Sequence, residues 1–256
     1  MTSFLKFKEL HNQTQPLIIG NVWNVQSAKV YEKLNFQAIG TSSAAIAHSL
    51  GYEDGEQMPF SDLLFVVEKI QKTVKLPLTV DIEFGYGNTA TEIANNIIAL
   101  EKLSVVGINI EDSFIVNGER KLKDNLQFFQ LLQEVKNILT KQEISIFINV
   151  RCDAFLLNNP NALQIATERI KQFEQAGADG IFLPCITKEN DISTIILQTK
   201  LPLNVMCMPE LPNFETLEKL GVKRISMGNF LNGYAYTSLE NVTTKILSEQ
   251  SFNALF

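Results

Sequence analysis

Long apolar runs are missing from this chain of 256 residues. None approaches the ~20 consecutive apolar residues that cross a bilayer. The N-terminal MTSFLKFKELHN has no apolar stretch of secretory length, so no signal peptide is expected. Cysteine is scarce: Cys152, Cys185 and Cys207 lie far apart, which excludes a disulfide framework. A basic excess is also missing. The 22 Lys and Arg are outnumbered by 28 Asp and Glu, for a formal charge of −6. That excludes a general nucleic-acid binder, which needs clustered cations to displace counterions from phosphates. Low-complexity stretches and linkers are absent, and a 45% hydrophobic content excludes a disordered chain. A reduced, soluble, cytoplasmic enzyme with no membrane contact is the expectation, built as one large domain or two small ones.

What is present is a regular alternation. Short β-branched runs read as strands at Pro16–Gly20, Gln37–Thr41, Leu78–Ile82, Gly107–Ile110, Ser145–Val150, Gly180–Pro184, Leu203–Met206 and Arg224–Met227. Amphipathic segments lie between them: Val25–Leu34, Ser61–Val74, Thr89–Leu103, Asp124–Lys141, Asn161–Ala176, Asn190–Thr199, Asn213–Leu220 and Gly228–Ser248. In the fifth of these, Leu163, Ala166, Ile170 and Phe173 fall on one helical stripe, as a helix lying on a sheet requires. The joints repeat a signal. Gln175-Ala-Gly-Ala-Asp-Gly and Lys219-Leu-Gly-Val carry a glycine for a left-handed cap, and Lys75-Leu-Pro-Leu and Lys200-Leu-Pro-Leu stop a helix with proline. Eight unbroken β-then-α units predict one α/β domain over residues 1–256, a (β/α)8 TIM-type barrel. A doubly wound open sheet is the alternative. The absence of Gly-x-Gly-x-x-Gly after the first strand counts against it.

In such a barrel the chemistry sits where strands end. The third strand runs into Asp81-Ile-Glu83-Phe-Gly85-Tyr86-Gly87-Asn88, and an extended backbone would point Asp81 and Glu83 to the same side. The fourth ends at Asn109-Ile-Glu111-Asp112 and the fifth at Asn149-Val-Arg151-Cys-Asp153. Asp54 and Glu56 follow the second strand. Massed carboxylates raise one another's pKa unless a cation sits among them. An all-oxygen set suits a hard ion such as Mg2+, with Mn2+ a possible substitute. Arg151 is placed to grip an acidic group bidentately. Taken singly, each of these residues reads as a strand-end cap or salt bridge; the ordered set reads as an active site. Tyr86 sits beside it, and Cys185, Asn204 and Ser226 are candidates to touch a substrate. Three thiols on neighbouring strands also match a soft-metal site, but small buried residues are the commoner use. His11 and His48 read as structural.

Several motifs occur in a fixed order: Gly20-Asn-Val-Trp-Asn-Val-Gln-Ser-Ala, Gly40-Thr-Ser-Ser-Ala, Ser49-Leu-Gly-Tyr-Glu-Asp-Gly, Asp81-Ile-Glu-Phe-Gly-Tyr-Gly-Asn, Asn109-Ile-Glu-Asp-Ser and Val150-Arg-Cys-Asp-Ala-Phe. In these the chain resembles the isocitrate lyase/phosphoenolpyruvate mutase superfamily over nearly its whole length. The resemblance implies a barrel whose last helix swaps between subunits, so a homodimer or homotetramer. It implies Mg2+, a small 2-oxo or 2-hydroxy acid as substrate, and an enolate-like intermediate. By motif, Asp81 would bind the metal, with Glu83, Glu111 and Asp54 holding its waters. Arg151 would clamp the substrate carboxylate, and the Ser43 and Ala44 amides would form the oxyanion hole, with Ser42 beside them. Asp54 would sit on a mobile lid, where mutases and phosphonopyruvate hydrolases place an Asp with a closer role in P–C chemistry.

The chain also departs from the family. Its Tyr52-Glu-Asp-Gly-Glu stands where the lyases carry Lys-Lys-Cys-Gly-His, and no Cys precedes Val150. Mutase positions for Trp and His hold Gly40 and the Phe182-Leu-Pro184-Cys185 run, and Asn117 is the only counterpart to a gating Asn. The expectation is therefore C–C cleavage in an oxaloacetate- or methylisocitrate-like acid. P–C chemistry of the phosphonopyruvate hydrolase or mutase kind is the alternative, and a non-catalytic keto-acid-binding barrel is a third.

Overall fold

The computed structural model describes residues 2–256. A first helix, α1 (Ser3–Glu9), precedes the repeating units. They run β1 (Leu17–Val22), α2 (Val25–Lys33), β2 (Ala38–Thr41), α3 (Ser43–Leu50), α4 (Phe60–Gln71), β3 (Leu78–Asp81), α5 (Ala90–Glu101) and β4 (Gly107–Glu111). A hairpin of β5 (Ser113–Val116) and β6 (Glu119–Leu122) follows, then α6 (Asn125–Lys141), β7 (Phe147–Arg151), α7 (Ala162–Gln175) and β8 (Gly180–Leu183). The chain ends with α8 (Glu189–Gln198), β9 (Leu203–Met206), α9 (Phe214–Leu220), β10 (Arg224–Ser226) and α10 (Phe230–Glu249).

Eight strands close in the order β1-β2-β3-β4-β7-β8-β9-β10, with β10 returning to β1. All neighbours are parallel, and the seam pairs Leu17 with Arg224 and Ile19 with Ser226. This is the TIM-type barrel. Helices pack their apolar stripes on it: Ile93, Ile97 and Leu100 of α5 are fully buried. A reciprocal cap starts that helix, Thr89 accepting from the Glu92 amide and Glu92 from the Thr89 amide.

The eight expected strands all occur, within two residues of the expected bounds. Two elements were not expected. The first is α3, an Ala- and Ser-rich helix directly after β2. The second is the hairpin, whose Asn117 and Gly118 both take positive φ, 53° and 76°. That is the signature of a two-residue type I′ turn. An N-terminal helix around His11 was expected, and α1 is that helix, plugging the lower end of the barrel. Its Phe7 is fully buried with Leu17, Ile19, Val106 and Phe147. Just beyond it, His11 stacks on Phe147, with centroids 4.4 Å apart and planes 10° apart. Its Nδ1 donates to the Phe7 carbonyl at 3.0 Å. Burial lowers its pKa to about 3, so the ring is neutral.

The last helix, α10, buries only Asn232, while Tyr234, Leu239 and Leu247 stand out in solvent. No helix of the described residues is long and apolar enough to cross a membrane.

Candidate active site

The upper ends of the strands surround a cavity of about 220 Å3. Ser42, Ser43, Ala44, Asp54, Asp81 and Arg151 all line it. On the β2 side, Ser42 caps α3, its Oγ accepting from the Ala45 amide at 3.3 Å. The next two amides, Ser43 and Ala44, have no acceptor among the described residues. They are orphan donors of a helix start, where the dipole favours a negative oxygen.

Asp81 ends β3. Thr41 Oγ1 accepts from its amide at 2.8 Å, and Ser43 Oγ donates to its Oδ2 at 3.2 Å. Burial raises its pKa, against the nearby positive charge of Arg151.

Glu83 turns another way. The strand has stopped at Asp81, and Glu83 takes φ +49°, so the extended backbone assumed for the pair does not reach it. Its Oε2 accepts from the Gly55 and Glu56 amides at 2.7 Å each, and its Oε1 from the Tyr86 hydroxyl at 2.8 Å. Glu56 Oε1 in turn accepts from the Tyr86 amide at 2.6 Å. Burial, with the charge of Asp54 added, pushes Glu83 up to about 7. Glu83 thus fixes the loop that carries Asp54, and Tyr86 fixes Glu83.

Glu111 lies between two guanidinium groups. Arg151 Nη1 is 2.8 Å from its Oε2, and Arg120 Nη1 is paired with its Oε1. Even so, burial pushes Glu111 up to about 8, with Asp153 adding to the shift. Arg151 also donates to both oxygens of Asp153, at 2.6 and 3.2 Å. Below them, Arg169 pairs with Asp112 at 3.1 Å, and the Asp153 amide donates to the other Asp112 oxygen at 2.9 Å.

Arg120 has no place in the motifs read from the sequence. It sits on β6 opposite Ile115 and lines the cavity. The Asn117-Gly118 dipeptide is the sequence signal for the hairpin that carries it there. Asn117 itself lies at the exposed tip, away from the cavity.

No cluster of three or more Asp, Glu, His or Cys among the described residues is arranged to hold a metal directly. Both oxygens of Glu83 accept from protein groups, Glu111 lies between Arg120 and Arg151, and neither carboxylate lines the cavity. The cavity wall itself offers Asp81, whose oxygens accept from Ser43 Oγ and the Glu83 amide, and Asp54, whose Oδ1 has no hydrogen-bond partner. Two oxygen donors beside free cavity volume fit a hard divalent cation that keeps most of its waters.

The sequence profile of the phosphoenolpyruvate phosphomutase family matches residues 7–247. The chain belongs to this family. It lies within the isocitrate lyase/phosphoenolpyruvate mutase superfamily. Among curated relatives, an uncharacterized protein of Mycobacterium tuberculosis is 30% identical over 226 residues, covering 88% of this chain and 82% of its own. A 2-methylisocitrate lyase of Shewanella oneidensis is 29% identical over 203 residues, 78% of this chain and 68% of its own. Among solved structures, a protein of Burkholderia cenocepacia, provisionally named a phosphonomutase, superposes with a TM-score of 0.88 at 32% identity. That match covers 94% of this chain and 99% of the other.

Within the family fold, Glu83 and Glu111 do not line the cavity, and neither do three residues nominated from sequence as substrate contacts. Tyr86 packs against Glu83. Asn204 is buried below the cavity, its Nδ2 donating to Ser226 Oγ at 3.1 Å. Cys185 lies outside, in a separate hollow with Phe155 and Lys188. Cys152 is fully buried, and burial raises its pKa, as for an inert thiol.

Proposed function

We propose that the chain is a Mg2+-dependent lyase that cleaves a C–C bond next to the carbonyl or hydroxyl of a small 2-oxo or 2-hydroxy carboxylate. The observation that carries this is the facing of two unlike elements across one cavity. The free Ser43 and Ala44 amides lie on one wall with Asp81 beside them, and the Arg151 guanidinium lies on another. The family of the chain and the lyase among its relatives support the reading.

Asp81 would hold the cation, with Asp54 beside it. The cation would supply Lewis-acid polarisation of the 2-oxo group. Arg151 orients the acid through its carboxylate, held in place by Asp153 and Glu111. The Ser43 and Ala44 amides point donors where the enolate oxygen develops, so they stabilise the charge that bond cleavage creates. The loop that Glu83 secures, Asp54 included, covers the cavity and keeps water from the enolate.

A panel of 2-oxo, 2-hydroxy and phosphono acids assayed with Mg2+ tests this. Release of a smaller 2-oxo acid or of CO2 from a 2-oxo or 2-hydroxy acid is the expected result. Phosphate release from phosphonopyruvate, lost in Asp54→Asn, would replace C–C with P–C chemistry. Oxalate binding without turnover on any member would leave a keto-acid-binding barrel.

We further propose that a second copy of the chain covers α10, giving a homodimer or homotetramer. The apolar residues α10 exposes and the swapped helix implied by the family resemblance support this.

A further inference from the structure

Below the cavity floor the barrel holds a cation with no counter-ion. Arg224, on β10, is 1% exposed. Its Nη2 donates to Asn109 Oδ1 at 3.4 Å, while its Nε and Nη1 have no partner. Among the described residues no carboxylate lies within ion-pairing distance of it. A buried guanidinium without a counter-ion or a full set of acceptors destabilises a fold. Its retention calls for a use.

The residues around it form one polar layer. Asn109 on β4 pairs in register with Asn149 on β7, and Asn204 on β9 with Arg224. Asn149 Nδ2 donates to Asn109 Oδ1 at 2.9 Å and to Asn204 Oδ1 at 3.2 Å. An arginine only donates, so the Asn109 atom facing it must be the carboxamide oxygen. Two donors therefore hold Oδ1, and the other end of the carboxamide is left for something else. Asn109 lines the cavity, and no group among the described residues accepts from its Nδ2.

We propose that Asn109 is a substrate-contacting donor on the cavity floor, and that Arg224 is the positioning residue that keeps the Asn109 N–H groups turned to an anionic oxygen of the bound acid. This deepens the proposed function and rests on it. The mouth of the cavity is crowded with carboxylates, so an anionic substrate needs positive potential from somewhere. Arg151 and Arg120 are both paired with acids; the charge of Arg224 is not. It lies beneath the floor, where a small oxygen-rich anion feels it through little water.

The test is calorimetric titration of oxalate with and without Mg2+, alongside thermal unfolding without ligand. In Asn109→Asp the donor becomes an acceptor of nearly the same shape. It is expected to weaken oxalate roughly tenfold or more, the scale of one lost hydrogen bond to a charged group. Arg224→Met is expected to weaken oxalate by a similar factor with no fall in Tm, because an unneutralised buried charge has gone. Arg224→Lys, which also only donates, is expected to retain more affinity than Arg224→Met. Combining Asn109→Asp with Arg224→Met should weaken binding by less than the product of the two single factors, since part of the Arg224 effect runs through Asn109. If Arg224→Met does not fold, Asn109→Asp and Arg224→Lys carry the test. Wild-type binding of oxalate with variants within twofold of it would overturn this inference alone, as would effects that simply add. No binding by the wild-type chain would overturn the proposed function, and this inference with it.

Discussion

Arg120 Nη2 lies 3.5 Å from Asp54 Oδ2, so the β5–β6 hairpin and the loop before α4 meet over the cavity. The same guanidinium reaches Ser113 Oγ at 2.8 Å and is paired with Glu111. Beside it on the hairpin face, Ile115 packs on Gly55. Gly55 has φ +102°, and a Cβ there would fall 2.3 Å from Ile115 Cδ1. One side chain thus ties the cover of the site to its wall.

Removing Arg120 leaves the buried Glu111 with Arg151 as its remaining cation. Arg120→Met is expected to lower the unfolding free energy by about 3 kcal/mol, the low end for breaking a buried pair. Urea denaturation measures it, and an unchanged midpoint would show that Arg120 does not neutralise Glu111.

Asp81 ends β3 on the cavity wall, between the Ser43 hydroxyl and the Glu83 amide. Asp81→Asn is expected to cut turnover by about 10²–10³, the scale of one lost electrostatic element. Far-ultraviolet circular dichroism should stay unchanged. Chelator treatment of the wild-type chain is expected to do the same, reversed by added Mg2+. Full turnover in the variant would remove Asp81 from the metal site.

His11 sets an acid limit on stability. Its pKa is about 3 in the fold against 6.5 in the unfolded chain. Between those values the unfolded chain binds a proton that the fold refuses. Stability from this residue is therefore complete above pH 6.5 and falls as pH drops towards 3, by at most about 5 kcal/mol. His11→Phe keeps a ring on Phe147 and removes the titration. Its unfolding free energy should fall less steeply than wild type across that window, and parallel curves would refute the assignment.

Leu239 and Leu247 are 61% and 73% exposed on α10. Leu239→Arg with Leu247→Arg is expected to shift the light-scattering mass to that of one chain without lowering helix content. A wild-type chain that is already a monomer would end the proposal of a covering second copy.

The barrel was legible because its strands are buried on both faces. Runs such as Ile148 to Val150 and Leu203 to Val205 are rich in β-branched and aliphatic residues, and Gly or Pro marks the joints. The helix α3 escaped because Ser43-Ala-Ala-Ile-Ala-His has little polar contrast around the helix. Ser43, Ala44, Asp81, Asp54 and Arg151 were legible through motif order, and all reach one cavity. Glu83 was misplaced because periodicity assumes an extended backbone, and the strand ends two residues too early. Arg120, Asn109 and Arg224 were missed for a different reason. What each does depends on a partner from another strand or hairpin, and spacing along one segment cannot show that.

The seam between β1 and β10 has a consequence for how the chain is made. β10 (Arg224–Ser226) leaves the ribosome well after β1 (Leu17–Val22), with most of the barrel between them. At roughly 5–20 residues per second, the β1 edge waits about 10–40 seconds for its partner. Through that interval a strand of Leu17, Ile18 and Ile19 presents unpaired N–H and C=O groups to any neighbouring nascent chain. Yield in the cell should therefore depend on translation rate and on holding chaperones more than on the equilibrium stability of the finished barrel.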